Sequence, residues 1–365
     1  MSKIKISYSC FLNSSGYGAA AQNYIKAIDK TDLFDIKIRL FGDKPVRSAI
    51  SDVDYEFFIE KIKKEDDPER ILIYHCIPNI QKRIKRPKRS IGIATFETYQ
   101  PPDKWIEILN ENDAIVVPSK FNYNIFSHMK IKKPIYYIPH CIDFDIYNEK
   151  VLPLFEYDRY TFLFMGIWKE RKGYKQLIEA FLTEFKEEDG VQLLIKTDKV
   201  KKAADYIETI KKQLGINKGF APILFENKVV DEVTLPKFMK SVDCLISPTM
   251  GEGFGYPGLQ CMALKVPVII TNFSGCQDYA DNSTATMLEP NGFVFCNNMD
   301  NIPQFRSKKW AFVEAKRIRR AMRYAVSNKK VLENKSKVAY ANVRNKFNYE
   351  RIGNLFENMI RELYG

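Results

Sequence analysis

One carboxylate stands among four glycines in GEGFGYPGLQCMALKVPVIIT, residues 251–271. Glu252 offers an acceptor suited to hydroxyls and not to phosphate, while Gly253 and Gly255 leave backbone N–H groups open to close approach. Pro257 suits the first turn of a helix, whose positive end favours an anion or a sugar hydroxyl. A glycine-rich turn without a ligand is the plain alternative, and glycines alone would not displace it. A second stretch, FMGIWKERKGYKQLIEAF at 164–181, sets Arg171 and Lys172 before a glycine. A fixed guanidinium and ammonium there could hold an anion, and would stabilise a transition state in which that anion's charge grows. A basic string of this kind is more often a solvated turn, and it is the agreement of the two stretches that favours chemistry.

Those residues need elements to hold them. Short β-branched and aromatic runs recur with helical patterns between them: IKISYSC, FDIKIRLF, ILIYHC, SIGIAT, DAIVVPS and PIYYIP, then YTFLFMGI, VQLLIKT, APILFE, VDCLISP and VPVIIT. Strands that alternate with helices and are continuously apolar indicate parallel sheets covered on both faces. Two such series predict an α/β chain of two doubly wound, Rossmann-like domains facing a cleft. The pattern lapses in CIDFDIYNEKVLPLFEYDRY, which places the boundary at 155/156, with a first domain over 1–155 and a second over 156–344. From Trp310 onward charged helical patterning dominates with no further strand, and a terminal helix at 345–365 is expected to pack back on the first domain. The turn carrying Glu252 then follows a strand and opens a helix, the place where open α/β sheets bind ligands.

Composition narrows the chemistry. Seven cysteines occur without a C-x-x-C pair, mostly in or beside apolar runs, and read as reduced core residues. Only three histidines are present, which leaves no His-rich metal centre. Two D-x-D strings, Asp52/Asp54 and Asp143/Asp145, are paired acids of a kind that could hold a divalent ion. They lie in a polar stretch and in the interdomain segment, so no metal is assigned and the basic pair takes its place. No apolar run approaches the ~20 residues of a membrane span, and the N-terminus reads as a strand, so a cytoplasmic location is expected.

The segment PTMGEGFGYPGLQCMALKVPVIIT resembles the donor-binding segment of nucleotide-sugar glycosyltransferases of the GT-B fold, specifically the large retaining group numbered family four. The resemblance extends to the 164–181 stretch, to NSSGYGAAAQNYIKAI, to ATFETYQPPDKWIEILNENDAIVVPSKFNYNIF and to PIYYIPHCIDFDIYN, and so covers most of the chain from Gly16 to Asp278. It implies a retaining, metal-independent hexosyltransferase that needs no cofactor and uses a nucleoside-diphosphate sugar, with UDP or GDP as the nucleotide. It gives Glu252 the hydroxyls of the transferred sugar, and Arg171 and Lys172 the diphosphate. Gly166, Gly253, Phe254, Gly255, Ser274 and Gly275 then line the donor, and Gly16 and Gly18 meet its phosphates. The family's second acid, which holds the ribose hydroxyls, falls on Gln260, an amide that can donate and accept but brings no charge. His75 and Glu97, at predicted strand ends, are candidates for orienting the acceptor.

The acceptor that the resemblance implies is a carbohydrate or lipid-linked glycan. The chain carries a formal charge of +12, and one concentrated source is Lys82, Arg83, Lys85, Arg86, Lys88 and Arg89. A solvated loop is the plain reading of that cluster. The sharper ones are an anionic membrane surface, at ~1 kcal/mol per basic residue, or nucleic-acid phosphates, which keeps a DNA-modifying sugar transferase as an alternative. The basic stretch from Arg306 to Arg323, with Trp310 and Phe312, carries the same choice. The Gln260 departure also admits a nucleotide-sugar-binding relative without turnover.

Overall fold

The computed structural model describes residues 3–42, 44–81, 88–296 and 303–365. In chain order the strands of the first half are β1 (Ile4–Cys10), β2 (Phe34–Leu40), β3 (Ile71–His75), β4 (Ser90–Ile93), β5 (Ala114–Val117) and β6 (Ile135–Tyr137). Then come β7 (Tyr160–Met165), β8 (Val191–Lys196), β9 (Ile223–Glu226), β10 (Cys244–Ser247), β11 (Val268–Thr271), β12 (Thr286–Leu288), β13 (Gly292–Phe295) and β14 (Lys309–Phe312). The helices are α1 (Gly16–Asp29), α2 (Asp52–Lys63), α3 (Pro78–Gln81), α4 (Asp103–Leu109), α5 (Lys120–Ser127) and α6 (Tyr174–Glu184). They continue with α7 (Val200–Leu214), α8 (Thr234–Lys240), α9 (Tyr256–Ala263), α10 (Ala315–Ser327), α11 (Lys329–Lys346) and α12 (Tyr349–Tyr364).

The chain forms two compact units. The first comprises residues 1–145, 229–233 and 344–365, and the second 146–228 and 234–343. Residues 146–155, expected with the first domain, are tied into the second: Leu154 N donates to Lys237 O and to Ser241 Oγ, and the Tyr147 hydroxyl accepts from Gln260.

In the first unit six strands lie in the order β2-β1-β3-β4-β5-β6, all parallel. Every residue of β3, β4 and β5 is buried, as expected of central strands with helices on both faces. Ser15, Ser51 and Ser119 each close a helix start by accepting from a backbone N–H three residues on, at 3.1, 3.3 and 3.1 Å. The last helix, α12, lies on α1. Its Ile352, Phe356, Met359 and Ile360 recur at helical spacing and are buried with Tyr24, Ile25 and Ile28 in one core, each contributing about 2 kcal/mol.

In the second unit the order is β12-β11-β10-β7-β8-β9, again all parallel. Counted within the unit this is 3-2-1-4-5-6 read from β9, the Rossmann order, whose direction switches between β7 and β10. The two series of apolar runs therefore lie where the periodicity placed them. The region after residue 306 differs from expectation. Lys309–Phe312 is a strand, β14, paired antiparallel with β13, and Trp310 in it is fully buried. In α10, Ile318, Met322 and Ala325 form the buried stripe. Arg319 and Arg323 pair with Glu184 at 3.1 and 2.6 Å, and Arg323 also pairs with Asp189, so part of this basic stretch is neutralised within the fold. All seven cysteines are buried free thiols. Among the described residues no helix is long and apolar enough to cross a membrane.

Candidate active site

The loops after β7, β10 and β11 converge at the switch point of the second unit. After β7, the Trp168 ring stacks on Tyr174 with centroids 3.9 Å apart, and its backbone N–H donates to Asp198 at 2.8 Å. A single 3₁₀ turn, Glu170–Lys172, then ends at Gly173, whose φ of 74° opens α6. A side chain at Gly173 would begin 1.9 Å from the Pro248 carbonyl oxygen, so glycine here is what lets the two loops touch. They are then stitched together: Met250 N donates to Arg171 O at 2.7 Å, and the Thr249 hydroxyl oxygen lies 3.2 Å from the same carbonyl.

This stitching delivers Glu252 to the basic pair. Lys172 Nζ lies 2.6 Å from Glu252 Oε1, and Arg171 Nη1 3.0 Å from Oε2. The Thr249 hydroxyl donates to Oε1 at 3.0 Å, and Arg171 also donates to the Gly251 carbonyl. Side-chain exposures of 11, 11 and 16% for Arg171, Glu252 and Lys172 make this a buried cluster, where charge interactions are screened less than at the surface. Burial would raise the Glu252 carboxyl, but Lys172 and Arg171 outweigh it and hold the group down at about 2. At neutral pH the cluster is two cations around one anion.

The third loop fixes the backbone of the acid. Ser274 Oγ accepts from Glu252 N at 2.8 Å, and Gly275 N donates to Glu252 O at 3.0 Å. Ser274 holds φ at 64°, the left-handed region seldom occupied by residues other than glycine. Phe254 is a buried ring against Tyr279, whose hydroxyl donates to Gly255 O at 2.6 Å. Gly255 has φ 93°, and a side chain there would begin 2.9 Å from both Cys276 Sγ and the Tyr279 hydroxyl. The bare backbone at this position is thus occupied from inside the fold by Tyr279. Gly166 faces the Lys172 methylenes, 3.4 Å from where a side chain would begin. Gln260, buried on α9, donates from Nε2 to the buried Tyr147 hydroxyl at 2.8 Å. Thr249, Tyr279 and Tyr147 are parts of this site that motif reading does not reveal.

In the first unit, His75 ends β3 and is 2% exposed. Its Nδ1 is 2.8 Å from the Tyr8 hydroxyl, and its ring lies among Tyr8, Tyr17, Tyr24 and His140. Burial lowers the imidazole to about 3, and it lowers His140 as well, with His75 adding to the effect. Glu97 is half-buried, and its charge adds to burial in raising the Tyr17 phenol. Gly16 is exposed in the β1–α1 turn, whereas Gly18 backs onto the Asn13 carbonyl. Of the basic cluster, Lys88 lies 3.5 Å from Glu69, and Arg89 lies near Glu69 and over the Tyr364 ring. Lys82, Arg83, Lys85 and Arg86 lie outside the described residues. Asp52 and Asp54 pair with Arg47 and Lys26, and Asp143 accepts from Asp145 N.

Two six-stranded parallel sheets with flanking helices make this a chain of the GT-B class, with its charged site at the strand ends of the second sheet. Residues 159–302 match the family described as glycosyl transferases group 1. An uncharacterized glycosyltransferase of Methanocaldococcus jannaschii is 30% identical over 146 residues, covering 40% of this chain and 34% of its own; the match spans about a third of that relative's length. Among solved structures, sucrose-phosphate synthase from Thermosynechococcus elongatus superposes with a TM-score of 0.71 at 14% identity, over 99% of both chains. Anabaena HepE in complex with UDP and glucose superposes with a TM-score of 0.67 at 11% identity, over 98% of this chain and 100% of its own. At these identities the structures share the fold.

Proposed function

We propose that the protein is a retaining hexosyltransferase that moves a sugar from a nucleoside-diphosphate donor to a glycan or lipid-linked acceptor. The observation that carries this reading is the Arg171–Glu252–Lys172 cluster at the β7/β10 switch point. As the bond between the sugar C1 and the diphosphate oxygen breaks, Arg171 and Lys172 offset the charge gathering on the leaving group, the part a divalent cation would otherwise play. Glu252 accepts hydrogen bonds from sugar hydroxyls. The new bond forms from C1 to an acceptor oxygen, and the acceptor proton passes to the departing phosphate, so no protein base is required. The likeness of 251–271 to the retaining group supports retention.

Gln260 stands where that likeness puts the ribose-binding acid. One of its two Nε2 hydrogens is used by Tyr147, which leaves the amide oxygen free to accept a ribose hydroxyl in a contact that is neutral. UDP is the first nucleotide to test, since the Anabaena relative was solved with it. The test is release of UDP or GDP from a panel of their hexose conjugates, with and without added glycan and in the presence of a chelator. Release by wild type that Lys172→Ala and Glu252→Ala abolish supports the reading. Release unaffected by either substitution, or lost on chelation, contradicts it.

A further inference from the structure

The candidate site already contains an anion. Glu252 occupies both cations, with one carboxylate oxygen on each, and the Thr249 hydroxyl adds a third hold. A nucleoside diphosphate would need the same guanidinium and ammonium. We infer that Glu252 competes with the donor's diphosphate for Arg171 and Lys172, so that binding exchanges one anion for the other and turns the carboxylate toward the sugar.

This inference rests on the proposed donor reading and deepens it. Only a side-chain rotation is needed, because the Glu252 backbone stays pinned through Ser274 Oγ and Gly275 N. Protonation does not relieve the competition near neutrality, because the two cations keep the carboxyl ionised far below that range. Two like-charged groups cannot share the pair without repulsion, so the carboxylate must leave Lys172 as phosphate arrives. With a sugar attached, the displaced carboxylate gains hydroxyl donors. With a bare diphosphate it gains none, which weakens the hold on the spent nucleotide.

The probes are UDP and inorganic pyrophosphate, titrated calorimetrically into wild type and Glu252→Gln. The amide keeps the size and an acceptor but removes the charge. The expected result is tighter binding of both probes by the variant, by about tenfold, the scale of one charge-assisted hydrogen bond withdrawn from competition. Binding to wild type that the variant leaves unchanged or weakens overturns the inference and leaves the donor reading standing. No binding of UDP, GDP, ADP, dTDP or pyrophosphate to wild type overturns the donor reading and the inference with it. Should Glu252→Gln fail to fold, crystal structures of wild type with and without UDP decide. Lys172 Nζ on a phosphate oxygen with Glu252 withdrawn supports the exchange. Glu252 still 2.6 Å from Lys172 with UDP bound overturns it.

Discussion

The two units share a parallel doubly wound sheet but fill their switch points with different chemistry. Where β7 and β10 part, the loops bring together three charged side chains, held by hydrogen bonds from backbone and hydroxyl groups. Where β1 and β3 part, the sheet ends in His75 and Tyr8, enclosed by aromatic rings. Burial acts on both sets of titratable groups, with opposite outcomes. In the second unit the cations overrule it and Glu252 stays charged; in the first, burial is the leading influence on the imidazoles and they are held neutral. A shared topology thus offers the same place for a site, and local partners decide whether ionised groups can stand there.

The contrast is broken most severely by Lys172→Ala. Turnover is expected to fall by about 10²–10³-fold, the scale on which removal of a preorganised transition-state donor acts, whereas His75→Gln in the other unit changes stability and leaves nucleotide affinity alone. Steady-state release of nucleotide together with calorimetry checks both halves. Equal losses of nucleotide affinity from the two substitutions would erase the distinction.

Acid unfolding separates the units next. The folded imidazole of His75 titrates far below its usual 6.5, at about 3. As pH falls below 6.5 the unfolded chain takes up protons the folded unit refuses, and the first unit loses roughly 1.4 kcal/mol per pH unit for each such histidine. Glu252 has its folded value depressed from 4.5 to about 2, so its contribution is present above 4.5 and is lost only as pH falls from there toward 2. Fluorescence of single-tryptophan variants retaining Trp105 in the first unit or Trp310 in the second should show the first transition at higher pH. Coincident transitions, or the reverse order, would contradict these assignments.

Smaller effects refine the second site. Tyr279→Phe leaves the Gly255 carbonyl without its donor and is expected to cost about 1 kcal/mol of stability, with nucleotide affinity weakened severalfold as the turn loosens; denaturant melts and titration measure the two separately. Gln260→Glu should strengthen UDP about threefold by making a neutral ribose contact charge-assisted, while pyrophosphate, which lacks ribose, gains nothing. An equal change for both ligands would remove Gln260 from the ribose contact.

Much of the scaffold was legible before any coordinates. β3, β4, β5, β7, β10 and β11 are largely apolar runs, a pattern that two-sided burial imposes, whereas β2 alternates in both residue type and burial. β12, β13 and β14 escaped, β14 because it sits in a basic stretch whose helical neighbours dominate the period. Trp310 is buried in a strand held by antiparallel pairing, which local sequence does not encode. In the site, Arg171, Lys172 and Glu252 stand out by type and neighbours. Tyr279 and Tyr147 do not, because their contacts join residues 24 and 113 positions apart. The glycines were legible as special, but the occupant of Gly255's empty side, Tyr279, is set by tertiary packing.

The most direct measurement of the central claim is a calorimetric titration of wild type and Lys172→Ala with UDP, GDP, ADP and dTDP and their sugar conjugates. Saturable binding of one nucleotide by wild type, strongly weakened by the substitution, is the predicted result. Binding that Lys172→Ala leaves intact, or no binding of any nucleotide, would contradict the assignment of the switch-point cluster as a donor diphosphate site.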